Sequence, residues 1–251
     1  MTYNSKLLVG KTAFVTGSNR GIGAKIIELF AQNGANIFAH ARIKNINFEK
    51  NLQALTLKYD VKINPIYFDL IDDFEIKASL KNLYKNKIGI DILVNNAGIA
   101  HGGLIQMTPI DSIKNIFQVN VFSHLLIIQN LIKLLKINKN SSIINITSIA
   151  GIDAEAGSIA YGSSKAAFIF ATKVLSKELV IDCIRVNAVA PGLTDTDMAD
   201  LMEHKAKSNM IQSSGMKRLA STTEIANAVL YLASDLSIFV NGQVIRVDGG
   251  I

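Results

Sequence analysis

Thr16-Gly17-Ser18-Asn19-Arg20-Gly21-Ile22-Gly23 follows a short apolar run at 12–16 and opens a stretch of helical periodicity at 23–32. Glycines placed there permit a tight turn and let a phosphate approach the N–H groups of a helix start. The spacing Gly-x-x-x-Gly-x-Gly is neither the common Gly-x-Gly-x-x-Gly fingerprint nor a phosphate loop with Gly-Lys-Ser/Thr. It describes a wider turn, and it makes Gly17, Ser18, Asn19, Arg20, Gly21, Ile22 and Gly23 candidates for holding a dinucleotide.

Downstream, the same alternation of strand and helix repeats. Further strand candidates lie at 36–40, 62–68, 91–94, 142–146, 184–189 and 244–247. Several are nearly continuous apolar runs, as in strands buried on both faces. Helical periodicity marks 48–58, 73–85, 109–135, 160–180 and 223–234. The fold class is therefore α/β: one Rossmann-like doubly wound domain over 1–251, with seven parallel strands and helices on both faces. Gly34 provides a stop for the first helix, and Ser221-Thr222-Thr223-Glu224 provides a cap for the last long one. The polar segment at about 193–215 lacks a strand and follows a strand end, so it is expected to cover the active site.

Bulk properties exclude other classes. The chain has 251 residues, 49% of them hydrophobic and only 18% charged, enough for a substantial core and too apolar for long disorder. The net charge is +6, but the basic residues are scattered, 21 of the 26 being lysine, so no nucleic-acid tail is expected. That mild charge suits a solvated surface and would also attract anionic ligands, such as phosphates or an acidic carrier protein. Cys183, alone, rules out an intrachain disulfide, and its apolar neighbours predict a small buried core residue. No apolar stretch is expected to reach the roughly 18–20 residues of a membrane span, and the N-terminus lacks the apolar core of a signal peptide. A cytoplasmic location follows, with the Asn-x-Ser/Thr triplets at Asn140 and Asn145 read as chance matches. No metal cluster is expected.

The second strand candidate ends at Ala39-His40-Ala41-Arg42 without the carboxylate that accepts from a ribose 2′-hydroxyl. Arg20 and Arg42 instead offer guanidinium groups suited to a 2′-phosphate. The charge argument therefore favours NADP(H) over NAD. His40 is read as a solvated strand-end residue.

Tyr161 and Lys165 stand one turn apart on the 160–180 helix, on one face. A phenol ionises near pH ~10, and a neighbouring ammonium lowers that value, making a proton donor with its tuner. Ser148 follows the apolar strand at 142–146, where a hydroxyl at a parallel strand's C-terminal end can meet a carbonyl oxygen. His101 and Gln106 are read as loop residues.

These motifs together resemble the short-chain dehydrogenase/reductase family over essentially the whole chain. The resembling marks are residues 16–23, Asp69, Asn95-Asn96-Ala97-Gly98, Asn120, Ser148, Tyr161, Lys165, Pro191-Gly192 and Val247-Asp248-Gly249-Gly250. The resemblance implies that Tyr161 protonates a carbonyl oxygen as hydride arrives from the nicotinamide, and that Ser148 orients that oxygen. It gives Lys165 the tuning of Tyr161 and the nicotinamide ribose, and Asn120 a water that relays protons. It places Asp69 and Leu70 by the adenine and Asn96, Ala97 and Gly98 along the cofactor. Pro191, Gly192, Thr194 and Thr196 are placed beside the nicotinamide.

Within the family the chain looks most like 3-oxoacyl-(acyl-carrier-protein) reductases, in 184–192, Thr196-Asp197-Met198, Lys217-Arg218-Leu219 and 224–229. That implies an acyl-thioester substrate, acyl carrier protein as a partner, fatty acid biosynthesis and a homotetramer built through the two long helices. Two departures weigh against carrier docking: the basic residues there are lysines, with Lys177 where arginine is frequent and only Lys136 and Lys139 in 136–142, and 179–183 lacks the usual glycine. The alternatives are another ketone or alcohol, such as a sugar or surface-glycan precursor, and a non-catalytic cofactor-binding protein.

Overall fold

The inner strands of the central sheet carry apolar side chains on both faces, and the helices are distributed to cover both. The computed structural model describes residues 6–85, 88–200 and 204–251, with the side chains of 204–206 excepted; positions 201–203 of the expected covering segment lie outside it. Seven parallel strands are ordered β3-β2-β1-β4-β5-β6-β7. They are β1 (Thr12–Val15), β2 (Asn36–Ala41), β3 (Ile63–Tyr67), β4 (Ile92–Asn95), β5 (Ser141–Ile146), β6 (Ile184–Pro191) and β7 (Val244–Val247). The order reverses direction between β1 and β4, which opens a crevice beyond their C-terminal ends.

Side-chain alternation divides the core in two. Ala13 and Val15 of β1, Ile92 and Val94 of β4, and Ile144 and Ile146 of β5 face α1 (Gly21–Gln32), α2 (Ile46–Tyr59) and, beyond the short α7 (Asp197–Asp200) and α8 (His204–Ser213), α9 (Thr222–Ala233). Phe14, Leu93 and Ile143 point the other way, toward α3 (Asp73–Lys85) and the helix that runs from Ile110 to Leu135. A strand register shifted by one residue would exchange these two sets, so the pattern pins the pairing. Local signals are used as expected: Gly34 has φ +87°, and Ser221 with Glu224 forms a complete capping box on α9.

The expected bounds hold within one or two residues, with α3 and β7 matching fully. The 109–135 stretch departs from uniform helix. It forms α4 (Ile110–Phe117), a π-turn (Gln118–Phe122) and α5 (Ser123–Leu135). Within it, Ser123 N–H donates to the Gln118 carbonyl, five residues back instead of four. Taken together these 26 residues are long and apolar enough for a membrane span, which corrects the expectation that no such stretch exists. Half of the most apolar window is buried inside the protein, where Ile127, Leu131 and Leu135 fill the second core.

Cys183 also departs from expectation. It is exposed and has φ +58°, in the left-handed region. The apolar run that suggested burial straddles a turn between α6 (Ile159–Glu178) and β6, and the reversal points the thiol outward.

Candidate active site

The glycine turn leaves β1 at the crevice and is held from below. Thr16 Oγ1 accepts from the N–H groups of Asn96 and Ala97, at 2.9 and 3.0 Å. Asn96 Nδ2 donates to the carbonyls of Thr16 and Gly17, at 2.9 and 3.0 Å. The Ser18 hydroxyl donates to the His40 carbonyl at 2.9 Å, so its side chain serves the turn. Gly17 and Gly21 have φ +63° and +55°, a region glycine enters freely. Helix α1 then starts at Gly21 without a side-chain cap and without an acid in its first turn. Its first N–H groups are thus open to an anion, which fits a dinucleotide's pyrophosphate.

The other residues expected at this end are less uniformly placed. Asn19 and Arg20 are exposed, and Arg20 pairs with Asp197 at 2.9 Å, tying the turn to the segment after β6. Arg42 is exposed just past β2. Ile22 is half-buried and packs on the first core. Asp69 accepts from Ile71 N–H at 3.0 Å. The Leu70 side chain is buried in the second core, leaving only its backbone for a ligand. Pro191 ends β6, Gly192 N–H donates to Val247 at 2.9 Å, and Thr194 donates to the Gly192 carbonyl at 3.1 Å. The Thr196 methyl lies 3.4 Å from where a side chain on Gly21 would begin.

His40 corrects the sequence reading. It is 2% exposed, not solvated. Nε2 donates to the Phe68 carbonyl at 3.0 Å, Nδ1 accepts from Gly17 N–H at 3.2 Å, and the ring stacks on Phe68 at 4.0 Å. Burial pushes its pKa down to about 4, so it stays neutral as this bonding requires. A histidine on the last residues of an inner strand carried the signal, since that position has a covered face.

At the catalytic end, Ser148 leaves β5 and Tyr161 and Lys165 stand on α6. Tyr161 is half-buried and hydrogen-bonds with Ser148. Lys165 is 3% exposed; its ammonium donates to the Ile146 carbonyl at 2.9 Å and lies 5.6 Å from the Tyr161 ring centre. The phenol pKa is raised by burial, and the opposing influence is the Ser148 hydrogen bond. This corrects the expectation that Lys165 lowers it: the ammonium is turned to a carbonyl and is itself desolvated, with its pKa down to about 8.

Asn120 lies in the π-turn. Its Nδ2 donates to the Ile99 carbonyl and to Ser164 Oγ, at 2.9 and 3.1 Å, and its Oδ1 accepts from Ile99 N–H at 2.9 Å. Both Nδ2 hydrogens are spent on these contacts, which leaves acceptor capacity on its side-chain and backbone oxygens. Gly98 brings the pieces together: a Cβ there would lie 3.2 Å from Asn120 Oδ1 and 3.5 Å from Lys165 Nζ. His101 is exposed in the loop after β4, and Gln106 is exposed in a single 3₁₀ turn (Ile105–Met107). Ser164 and His124, buried partners of Asn120, were not singled out in the sequence; a polar residue inside each apolar helix stripe was the available sign.

Comparison with known proteins gives a consistent picture. The family model described as enoyl-(acyl carrier protein) reductase matches residues 17–251. The 3-oxoacyl-(acyl-carrier-protein) reductase of Chlamydia trachomatis is 36% identical over 250 residues, covering 98% of this chain and 99% of that one. The 3alpha-hydroxysteroid dehydrogenase of Mediterraneibacter gnavus is 33% identical over 243 residues, with 97% of each covered. Among solved structures, L-sorbose reductase from Gluconobacter frateurii, complexed with NADPH and L-sorbose, superposes with a TM-score of 0.88 at 28% identity, covering 98% of both chains. The glycine turn, the Ser148–Tyr161–Lys165 arrangement and these full-length similarities identify the chain as a member of the short-chain dehydrogenase/reductase family of oxidoreductases.

Proposed function

We propose that the chain is an NADPH-dependent carbonyl reductase whose substrate is a 3-oxoacyl thioester. The observation that carries the reductase reading is the convergence of Ser148, Tyr161 and Lys165 beside an uncapped helix start. The thioester reading is supported by the name of the Chlamydia trachomatis relative.

NADPH, when bound, supplies the hydride. The substrate carbon accepts it as the carbonyl π pair moves to oxygen, and Tyr161 gives that oxygen its phenolic proton. Ser148 donates a second hydrogen bond to the same oxygen and stabilises its growing charge. Burial that keeps the phenol protonated suits a donor. Lys165 has N–H groups beyond the one given to Ile146 for the ribose, and the Asn120 carbonyl orients the water that returns the proton. The segment after β6 covers the site.

The pH dependence follows from Lys165. Its ammonium is charged below about 8 and loses its proton as pH rises through that value. Reductive kcat/KM is therefore expected to fall on the alkaline side from about pH 8; a profile flat to pH ~10, the ordinary range of Tyr and Lys, would remove Lys165 from the mechanism. Arg42→Asp places a carboxylate where a 2′-phosphate would lie. It is expected to cost NADPH about tenfold or more in Kd relative to NADH, the scale of a lost charge-assisted pair. Unchanged selectivity in a binding titration contradicts that assignment.

A second reading, a ketose or other small ketone, is favoured by Lys136. In the region a carrier protein would use, its ammonium is held by Asp182 at 2.8 Å. NADPH oxidation with acetoacetyl thioester, run beside L-sorbose and a 3-oxosteroid, separates the two. Turnover of the thioester at least tenfold more efficient than of the others is expected. Preference for the sugar or steroid overturns the thioester reading and leaves the reductase reading intact. We also propose self-association through the long helices, where Phe122, Phe170 and Val174 are exposed.

A further inference from the structure

His124 is a buried titratable side chain that the mechanism above does not use. It is 1% exposed and lies where three elements meet. Nδ1 is 3.3 Å from the Asn120 carbonyl oxygen, and Nε2 is 3.4 Å from Thr16 Oγ1. Its ring stacks on Phe168 of α6, centroids 5.4 Å apart and planes 18° from parallel. It thus touches the residue that opens the glycine turn, the residue assigned to proton relay, and the helix that carries Tyr161 and Lys165.

The hydrogen-bond valences of Thr16 decide which ring nitrogen carries the proton. A hydroxyl has one hydrogen and two lone pairs. Both lone pairs are taken by the N–H groups of Asn96 and Ala97. A third N–H, from His124 Nε2, would find no lone pair. Nε2 is therefore bare and shares the Thr16 hydrogen with the Val94 carbonyl, also 3.4 Å away. Nδ1 then bears the hydrogen and donates it to the Asn120 carbonyl. The reverse tautomer would set a ring lone pair against that carbonyl. Burial pushes the imidazole pKa down to about 3, which keeps the ring in this neutral form.

We propose that His124 is a positioning residue that fixes the Asn120 carbonyl to the floor of the glycine turn, so that the proton relay and the cofactor seat hold one mutual geometry. The proposal rests on the catalytic reading of Asn120, Tyr161 and Lys165. The Asn120 side chain is already committed to Ile99 and Ser164, and its carbonyl sits in the π-turn, where His124 Nδ1 meets it and ties that turn to Thr16.

Three substitutions test this, with kcat, the NADPH Kd by direct titration and thermal stability measured on each. His124→Phe keeps the ring and its stack but makes neither bond. His124→Asn places an amide N–H where Nδ1 lies and cannot reach Thr16. His124→Gln reaches toward Thr16 and gives up the Asn120 contact. Each lost bond corresponds to about a tenfold effect. His124→Phe is expected to lose about tenfold in both kcat and NADPH affinity. His124→Asn should recover kcat and leave affinity weak, and His124→Gln should do the opposite.

Equal kcat and Kd across the series, or losses in all three that follow only the fall in melting temperature, overturn the proposal. Tyr161→Phe and the wild type are assayed alongside. An active wild type with an inactive Tyr161→Phe and a flat His124 series removes the proposal and keeps the mechanism. An inactive wild type removes the mechanism, and the affinity measurement still decides the Thr16 half of the proposal.

Discussion

Tyr161→Phe is expected to lower turnover by about 10²–10⁴-fold, the range a positioned general acid supplies, with NADPH affinity nearly unchanged. The substitution removes one oxygen from a half-buried ring and leaves the ring's packing in place. Ser148 would still offer a hydrogen bond to the substrate oxygen, but it has no ammonium one turn away to restore its proton. The loss should therefore appear in kcat and kcat/KM together, the signature of an interaction made in the transition state. Steady-state kinetics with a binding titration read both. Retained turnover removes the assigned donor; lost turnover with lost NADPH binding points instead to a damaged seat. The raised phenol pKa makes the donor role easier to hold at neutral pH than a base role would be, because the protonated form dominates.

Gly23→Ala should be the most damaging change at the cofactor end. A Cβ there would lie 2.1 Å from the Gly17 carbonyl oxygen and 2.5 Å from Asn96 Nδ2. Neither can withdraw cheaply, since Asn96 Nδ2 already donates to the carbonyls of Thr16 and Gly17. Relief requires opening the turn that presents the start of α1. Overpacking of this kind costs about 1–3 kcal/mol. The expected result is NADPH binding too weak to titrate and a lower melting temperature. Gly102→Ala is the control, because nothing lies within 4 Å of a Cβ at that position. An alanine at 23 that binds NADPH normally would show that the turn yields more easily than its hydrogen bonds indicate.

Much of the fold was legible because the sheet is buried on both sides. Continuous apolar runs such as 13–15 of β1 and 92–94 of β4 carry that condition in the residues themselves, and the glycine turn marks where the first helix begins. Legibility failed where tertiary contact overrides local pattern. The π-turn at Gln118–Phe122 leaves no mark in a helical period, since the residues before and after it are ordinary helix formers. Cys183 looked buried because its neighbours are apolar, but a turn has no period from which to read a direction. The site divides in the same way. Residue types at fixed spacing, Ser148, Tyr161 and Lys165, could be chosen from the sequence. The bonds that orient them could not, because His40, His124 and Ile99 reach the site through the crossing of distant strands and helices. The direction of the Lys165 ammonium toward the Ile146 carbonyl is of this kind, and it changed the account of what tunes Tyr161.

The bonds beneath the glycine turn have a consequence for how this protein can change. Thr16, Asn96, Ser18 and His40 set the floor of the turn through buried groups, before any ligand arrives, so little ordering remains to oppose binding. The guanidinium groups suited to choosing between dinucleotides, Arg20 and Arg42, stand outside that floor in solvent. On the proposed assignment of Arg20 and Arg42, stability and selectivity are carried by separate side chains. A lineage, or an engineer, could alter which dinucleotide is accepted by exchanging exposed residues while the foundation under them stays untouched.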